Sequence, residues 1–547
     1  MAVQERFSGI LAHPTSFPSR YGIGDFGKGA YDFIDFLEKA GQKLWQILPL
    51  GPTGYGDSPY QSFSAFAGQP LLISPELLIQ DHLLAGPDFF KVPDFNLDHV
   101  DYGYVIPVKT ELLKLAHKHF LLHYNIALEA EYEAFCKQEA EWLDDYALFM
   151  AGKDAHGGVC WLDWEDDLRD PTPEIKEKWT EKLSDSVSYY KFIQFLFFRQ
   201  WNQLREYAHS KGIKIIGDIP IFVSMDSADV WANRKLFLLD TKGYPLVIAG
   251  VPPDYFSATG QLWGNPLYDW AYHKETNFDW WMKRIQGQLA LVDFLRIDHF
   301  RGFEAYYAIP YGETTALNGC WCKGPGPDLF HRIQEVFGKD LPIWAEDLGI
   351  ITPGVEKLRD DFNLPGMKVL QFAFADLDDN DLLPHHFSTS NCICYTGTHD
   401  NATTVGWYFE DLNPEKQDRL RRYLSTDARA IHMDMIRAAM SSIAKYCIFP
   451  IQDALGFGND CRMNTPSVAS GNWGFRFRPS HLSDDLAKQL KSMTELYGRG
   501  AIVPKKEEEI DGTLQDFSMD LLESLKANIE EKKKQEEAKV VSTEANQ

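Results

Sequence analysis

The chain has 547 residues, 54 Lys and Arg against 79 Asp and Glu, and a formal net charge of −25 with a pI near 5.1. So negative a surface repels phosphate backbones and anionic lipid, which excludes nucleic acid and the membrane surface as partners. Apolar residues at 44% and a mean hydropathy of −0.31 still leave enough material for a large core.

The N-terminal run MAVQERFSGILAHPTSFPSR has no long apolar stretch behind a basic start, so it does not read as a secretory signal. No stretch reaches the ~18 consecutive apolar residues of a membrane span. The expected location is therefore cytoplasmic. The eight cysteines include two Cys-x-Cys pairs, 320/322 and 392/394, without the His spacing of a metal site. They read as free thiols in a reducing compartment.

Short apolar runs recur along the chain, each ending in polar residues or glycine. They are 10–13 (ILAH), 44–50 (LWQILPL), 214–223 (KIIGDIPIFV), 294–302 (FLRIDHFRG), 342–349 (PIWAEDLG), 367–374 (MKVLQFAF), 392–400 (CICYTGTHD) and 446–451 (YCIFPI). Between most of them the apolar positions recur every three or four residues, as in 30–40 and 192–210, which predicts helices. Eight buried strands alternating with helices predict an α/β fold, a parallel (β/α)8 TIM barrel over residues 1–500. Residues 51–213 read as a large, mainly helical inserted subdomain, and 224–291 as an aromatic-rich loop insert over the cleft. No strand-rich segment follows the barrel, so no C-terminal β-sandwich domain is expected. The tail 501–547, with its KKEEE and EEKKKQEE runs, reads as partly helical or disordered.

Carboxylates close the strands: Asp218 ends KIIGD, Asp298 ends FLRID, Glu346 ends PIWAE and His399-Asp400 end CICYTGTHD. The C-terminal strand ends of such a barrel converge on one axis and form its active face. Four negative groups there repel one another unless a substrate, protons or cations offset them. Arg296 leaves the same strand face as Asp298 and favours an ionised carboxylate, which suits a nucleophile. Glu346 follows Ile-Trp-Ala with no cation adjacent in sequence, and an apolar setting suits a general acid. One carboxylate of each kind is the arrangement of glycoside chemistry. A metal site built from Asp298, His299, Glu346, Asp347, His399 and Asp400 is the competing reading, which Arg296 opposes. Tyr55, Tyr60, Tyr255, Phe256, Trp263 and Tyr268 lie in segments rich in Gly, Pro, Asp and Asn, so they read as sugar-stacking rings rather than core.

The segments GILAHPTSF, WQILPLGPTGYGDSPYQSFSAFAG, GDIPIFV, GVPPDYFSATGQLWGNPLYDW, FLRIDHFRGF, WAEDLGIIT, YTGTHDN and RMNTP resemble, in order, the 4-α-glucanotransferase (amylomaltase or disproportionating enzyme) family, glycoside hydrolase family 77. The resemblance runs from about residue 7 to about 480. It implies a retaining transferase that moves α-1,4-glucan segments between maltooligosaccharides through a covalent glycosyl-Asp intermediate. It implies Asp298 as nucleophile, Glu346 as general acid/base and Asp400 as the carboxylate gripping the reacting sugar. Tyr60, Asp218, Arg296, His299 and His399 are implied as substrate-binding or flanking contacts, with Asp254, Phe256 and Trp263 on the loop covering the acceptor side. The two carboxyl groups of a retaining pair are expected roughly 5–5.5 Å apart. No cofactor or metal is implied, and YGIGDFGKG lacks the Gly-Lys-Ser/Thr of a phosphate loop. Two features depart from the family pattern: Ser467 stands where a glycine is expected, and the tail runs on past the core. An α-amylase-type hydrolase with the same three carboxylates and a non-catalytic glucan-binding protein are the rival readings.

Overall fold

A computed structural model describes residues 5–89, 92–122, 125–253, 257–375 and 380–500. The tail 501–547 and the loop positions Asp254 and Phe256 fall outside them.

The eight apolar runs each contribute one strand: β1 (Phe7–Leu11), β2 (Leu44–Gln46), β3 (Lys214–Pro220), β4 (Phe294–Asp298), β5 (Ile343–Ala345), β6 (Gly366–Val369), β7 (Cys392–Tyr395) and β8 (Tyr446–Pro450). They pair in parallel in the order β6-β7-β8-β1-β2-β3-β4-β5. The Ala345 N–H at the end of β5 donates to the Pro365 carbonyl just before β6 at 2.9 Å, which brings the two outer strands together. The result is the expected (β/α)8 barrel. Almost every strand residue is buried on both faces, which is why the strands read as continuous apolar runs without alternation.

Two aromatic polar groups inside the barrel are hydrogen-bonded. The Trp45 indole donates to the Ala12 carbonyl at 2.8 Å, and the Tyr395 hydroxyl donates to Gln46 Oε1 at 2.9 Å. Outside, α1 (Lys28–Lys39) buries Ala30, Phe33, Ile34 and Leu37. The stretch between β2 and β3 carries α2 (Tyr102–Leu122), α3 (Ile126–Gln138), α4 (Ala140–Ala155) and α5 (Ser184–Ser210). The last of these runs into β3, and its Trp201 lies 5.9 Å from the Trp45 ring, so one helix belongs to both the insert and the barrel wall. Among the described residues no helix is long and apolar enough to cross a membrane.

The segment 224–291 is not only loop. Its strands Val247–Val251 and Gln261–Pro266 join Ala305–Pro310 and Cys320–Lys323 in a four-stranded antiparallel sheet. These strands are short and bracketed by Gly and Pro, so their sequence signal is that of turns. What makes them strands is pairing: Val247–Val251 with Ala305–Pro310, some 60 positions away, and Gln261–Pro266 with Val247–Val251. Tyr268 is likewise corrected: it is 1% exposed, donates to the Ile221 carbonyl at 2.8 Å and stacks on Phe237, so it is core rather than a sugar platform.

Candidate active site

Strand register assembles the centre of the site. Asp218 on β3 is the direct partner of Arg296 on β4, and Asp298 follows two residues later on the same face. The Arg296 guanidinium, 4% exposed, donates from Nη1 to Asp218 Oδ2 at 2.5 Å and from Nη2 to Asp298 Oδ1 at 2.9 Å. The Tyr60 hydroxyl donates to the same Asp218 oxygen at 2.8 Å. Burial pushes Asp218 up to about 7, with the Asp298 charge adding to it, while Arg296 and the Tyr60 hydrogen bond oppose the rise. Burial likewise raises the Tyr60 hydroxyl.

Glu346 is placed by backbone. It follows β5, the parallel neighbour of β4, and accepts from the His299 N–H at 2.7 Å and the Leu348 N–H at 2.9 Å. His299 can offer that N–H because its φ is +55°, a left-handed conformation that turns the chain sharply after Asp298. Burial and the nearby Asp298 charge raise Glu346 to about 8, against the pull of Arg296 and the two N–H donors. The His299 ring lies edge-on to Trp263, 4.7 Å between centroids, and burial lowers it to about 3, so it is neutral.

The third group comes from the loop after β7. His399 stacks on Tyr60 at 5.1 Å with ring planes 14° apart, and its Nε2 lies 3.3 Å from Asp400 Oδ1. Burial lowers the His399 ring, so its imidazole is held neutral beside an exposed Asp400. Asn464 Nδ2 donates to Asp400 Oδ1 at 2.7 Å, and an Arg462 N–H donates to the Asp400 carbonyl at 2.5 Å. Trp473 lies 5.9 Å from both the Tyr60 and the His399 rings. Beneath this loop Asp453 accepts from the hydroxyls of Thr396 and Thr404 and from the Thr404 N–H, all at 2.6–2.7 Å.

Of the residues singled out in sequence, Tyr60, Asp218, Arg296, Asp298, His299, Glu346, His399 and Asp400 converge, and Trp263 borders them through His299. Asp254 and Phe256 lie outside the described residues. Asn464, Trp473 and Asp453 were not singled out individually. For Asn464 the signal was present in the RMNTP motif; for Asp453 it was a lone carboxylate one turn after an apolar strand. The metal reading gains nothing from the geometry. Asp347 instead pairs with Arg359 at 2.5 Å and accepts from the Met367 N–H. Among the described residues no three His, Cys, Asp or Glu side chains are grouped to hold a metal ion.

Two carboxyl groups on neighbouring strand ends, one tied to a guanidinium and one raised by burial, equip the face for acid–base and nucleophilic work at a glycosidic bond. The family model described as glycoside hydrolase 77, 4-alpha-glucanotransferase, matches residues 12–482. The chain belongs to the 4-alpha-glucanotransferase family. It is an enzyme that transfers glucan segments. The 4-alpha-glucanotransferase of Synechocystis sp. is 51% identical over 499 residues, 91% of this chain and 99% of the relative. That of Thermus thermophilus is 48% identical over 497 residues, 90% of this chain and 98% of the relative. Among solved structures, amylomaltase from Streptococcus agalactiae in complex with acarbose superposes with a TM-score of 0.87 at 42% identity, covering 91% of this chain and all of that one. Amylomaltase from Corynebacterium glutamicum, at 18% identity and a TM-score of 0.70, shares the fold. The 4-alpha-glucanotransferase match ends before the tail 501–547.

Proposed function

We propose that the enzyme disproportionates maltooligosaccharides and other α-1,4-glucans by a retaining double displacement. Asp298 attacks the anomeric carbon while Glu346 protonates the departing oxygen. A covalent glycosyl-Asp forms and the reducing-end fragment leaves. Glu346, now a base, takes the proton of an acceptor 4-hydroxyl, whose oxygen displaces Asp298, so two inversions give net retention. Asp400 and the neutral His399 bind ring hydroxyls, and bonds that tighten as the ring flattens lower the barrier rather than the dissociation constant. Tyr60 and Trp263 offer faces for sugar rings, and Arg296 holds Asp298 and Asp218 in place.

The observation that carries this reading is the contrast between the two carboxyl groups. Asp298 accepts from a buried guanidinium, whereas Glu346 accepts from two backbone N–H groups in a setting that raises its pKa. The residues assigned to binding, including Asp254 and Phe256 on the 250–268 loop, follow from the same reading. Transfer outruns hydrolysis if an acceptor sugar is held in line, since effective molarities of ~10⁵ M exceed that of water.

Incubation with maltotriose decides between transferase and hydrolase. The transferase yields glucose and a ladder of longer glucans with little gain in reducing ends; a steady rise in reducing ends would mean hydrolysis. Trapping with a slow fluorinated glycosyl donor is expected to label Asp298, and labelling elsewhere overturns the assignment.

A further inference from the structure

The two Cys-x-Cys pairs share a spacing and have opposite surroundings. Cys392 and Cys394 lie in β7, inside the barrel wall, where burial pushes the Cys392 thiol up to about 11. Cys320 and Cys322 lie on the outermost strand of the antiparallel sheet, bonded on one side only, to Ala305–Pro310. Cys320 is exposed and Cys322 half-buried. Residues two apart share a strand face, and these two Sγ atoms are 4.0 Å from each other.

A strand rise of ~3.3 Å per residue puts their Cα atoms about 6.6 Å apart, at the upper edge of the 4.4–6.8 Å that a disulfide spans. A bridge there needs the strand to pinch. An edge strand with one neighbour yields more readily than β7, which is paired on both sides. Bridges that are strained and exposed are the ones readily reduced again.

What rides between the two thiols is Trp321, on the opposite face. Its ring carries the Arg301 guanidinium at 3.9 Å and packs on Tyr307. Arg301 Nη1 in turn donates to the Ile350 carbonyl at 2.5 Å, on the loop that follows Glu346. The chain just past the pair is tied to the turn after Asp298 as well: Gly324 and Gly326 N–H groups donate to the Glu304 and Phe303 carbonyls, both at 2.9 Å. A pinch at 320–322 therefore reaches both segments that flank the acid/base.

We propose that Cys320 and Cys322 are a reversible dithiol–disulfide couple whose closure draws Trp321 off Arg301 and slows glucan transfer. The functional half rests on the transferase reading above. The oxidant is a small-molecule disulfide such as oxidised glutathione. The Cys320 thiolate attacks one of its sulfurs, forming a mixed disulfide and expelling one glutathione thiolate, which takes up a proton. The Cys322 thiolate then attacks the Cys320 sulfur and expels the second. Two protein thiols lose two electrons and two protons, and one glutathione disulfide becomes two thiols.

The test treats the full chain with oxidised glutathione, alkylates remaining thiols and digests with trypsin. The peptide Gly302–Lys323 holds both cysteines and no other. It should appear unalkylated and two hydrogens lighter than its reduced form, and dithiothreitol should restore it. The peptide holding Cys392 and Cys394 should stay reduced. Transfer from maltotriose should fall by about twofold or more on oxidation, recover with dithiothreitol, and be insensitive in Cys320→Ser/Cys322→Ser. A 302–323 peptide that is alkylated or retains glutathione overturns the proposal. So does a bridged peptide with an unchanged rate. The rate of the reduced enzyme tests the transferase reading separately.

Discussion

A carboxylic acid that gives up a proton near neutrality needs surroundings that penalise its charge, and Glu346 has them in burial and in the neighbouring Asp298. The acid role proposed for it makes the donor step depend on the protonated form. The kcat/KM for a maltooligosaccharide donor should therefore fall as pH rises through about 8. A pH profile flat to pH 9.5 would contradict the assignment. Glu346→Gln should lower kcat by about 10²–10⁴-fold while leaving oligosaccharide binding. The same substitution has a stability signature. A folded pKa raised above the unfolded value of about 4.3 means that the native state holds its proton longer. The fold therefore loses stability as pH climbs from there toward 8, and glutamine avoids that loss. The Tm of Glu346→Gln should exceed wild type by a margin that widens between pH 5 and pH 8. Arg296 is the converse case, because its loss leaves Asp218 buried without its cation. Arg296→Ala should cost about 3–5 kcal/mol, read as a large fall in denaturation midpoint, and adding Asp218→Asn should recover part of it. Much of this cluster was legible in sequence because each carboxylate lies within or shortly after an apolar run that forms a strand, and Arg296 stands two residues from Asp298. Asn464 lies in the RMNTP motif, but its contact with Asp400 spans 64 positions, so the motif alone did not tell which carboxylate it meets.

At the scale of elements, the eight strands announced themselves because a parallel strand buried on both faces is an uninterrupted apolar run. The four outer strands did not, because short strands bounded by Gly and Pro look like loops until their pairing partners are known. Loops obey the same physics. Asp453 holds the loop 396–404 through three hydrogen bonds, and that loop carries His399 and Asp400. Asp453→Ala should raise KM and lower kcat together, as expected for a positioning residue. Asp453→Asn, which keeps the acceptor oxygen, should recover more than half of the lost kcat/KM. The departure at Ser467 also acquires a physical meaning. Its φ is +67°, the left-handed region where a Cβ is strained and glycine is not. Ser467→Gly should leave transfer unchanged and raise stability by up to about 1 kcal/mol, visible as a small rise in Tm.

At the scale of the whole molecule, the end of the barrel furthest along the chain is closed by one side chain. Arg499 is fully buried and donates to the carbonyls of Met440 at 2.6 Å, Ser442 at 3.0 Å and Phe7 at 3.2 Å. It thereby joins β1 to the turn that feeds β8. Arg6 adds a bond from Nη1 to the Ser442 carbonyl at 2.6 Å, and another from Nη2 to the Tyr497 carbonyl. The residues from 497 to 499 thus tie the start of β1 to the helix end and turn that precede β8, although the family match stops at 482. Two truncations separate this role from that of the charged tail. A chain ending at Gly500 keeps Arg499 and every contact of the unit 1–500, and it should unfold at the same temperature as the full chain with the same transfer rate. A chain ending at Leu496 removes the Arg499 donors from the carbonyls of Met440, Phe7 and Ser442, of which Ser442 keeps its bond from Arg6. It should lose at least about 2 kcal/mol, seen as a lower midpoint in chemical denaturation. Equal stability of the two truncations would mean that the β1–β8 seam holds without Arg499.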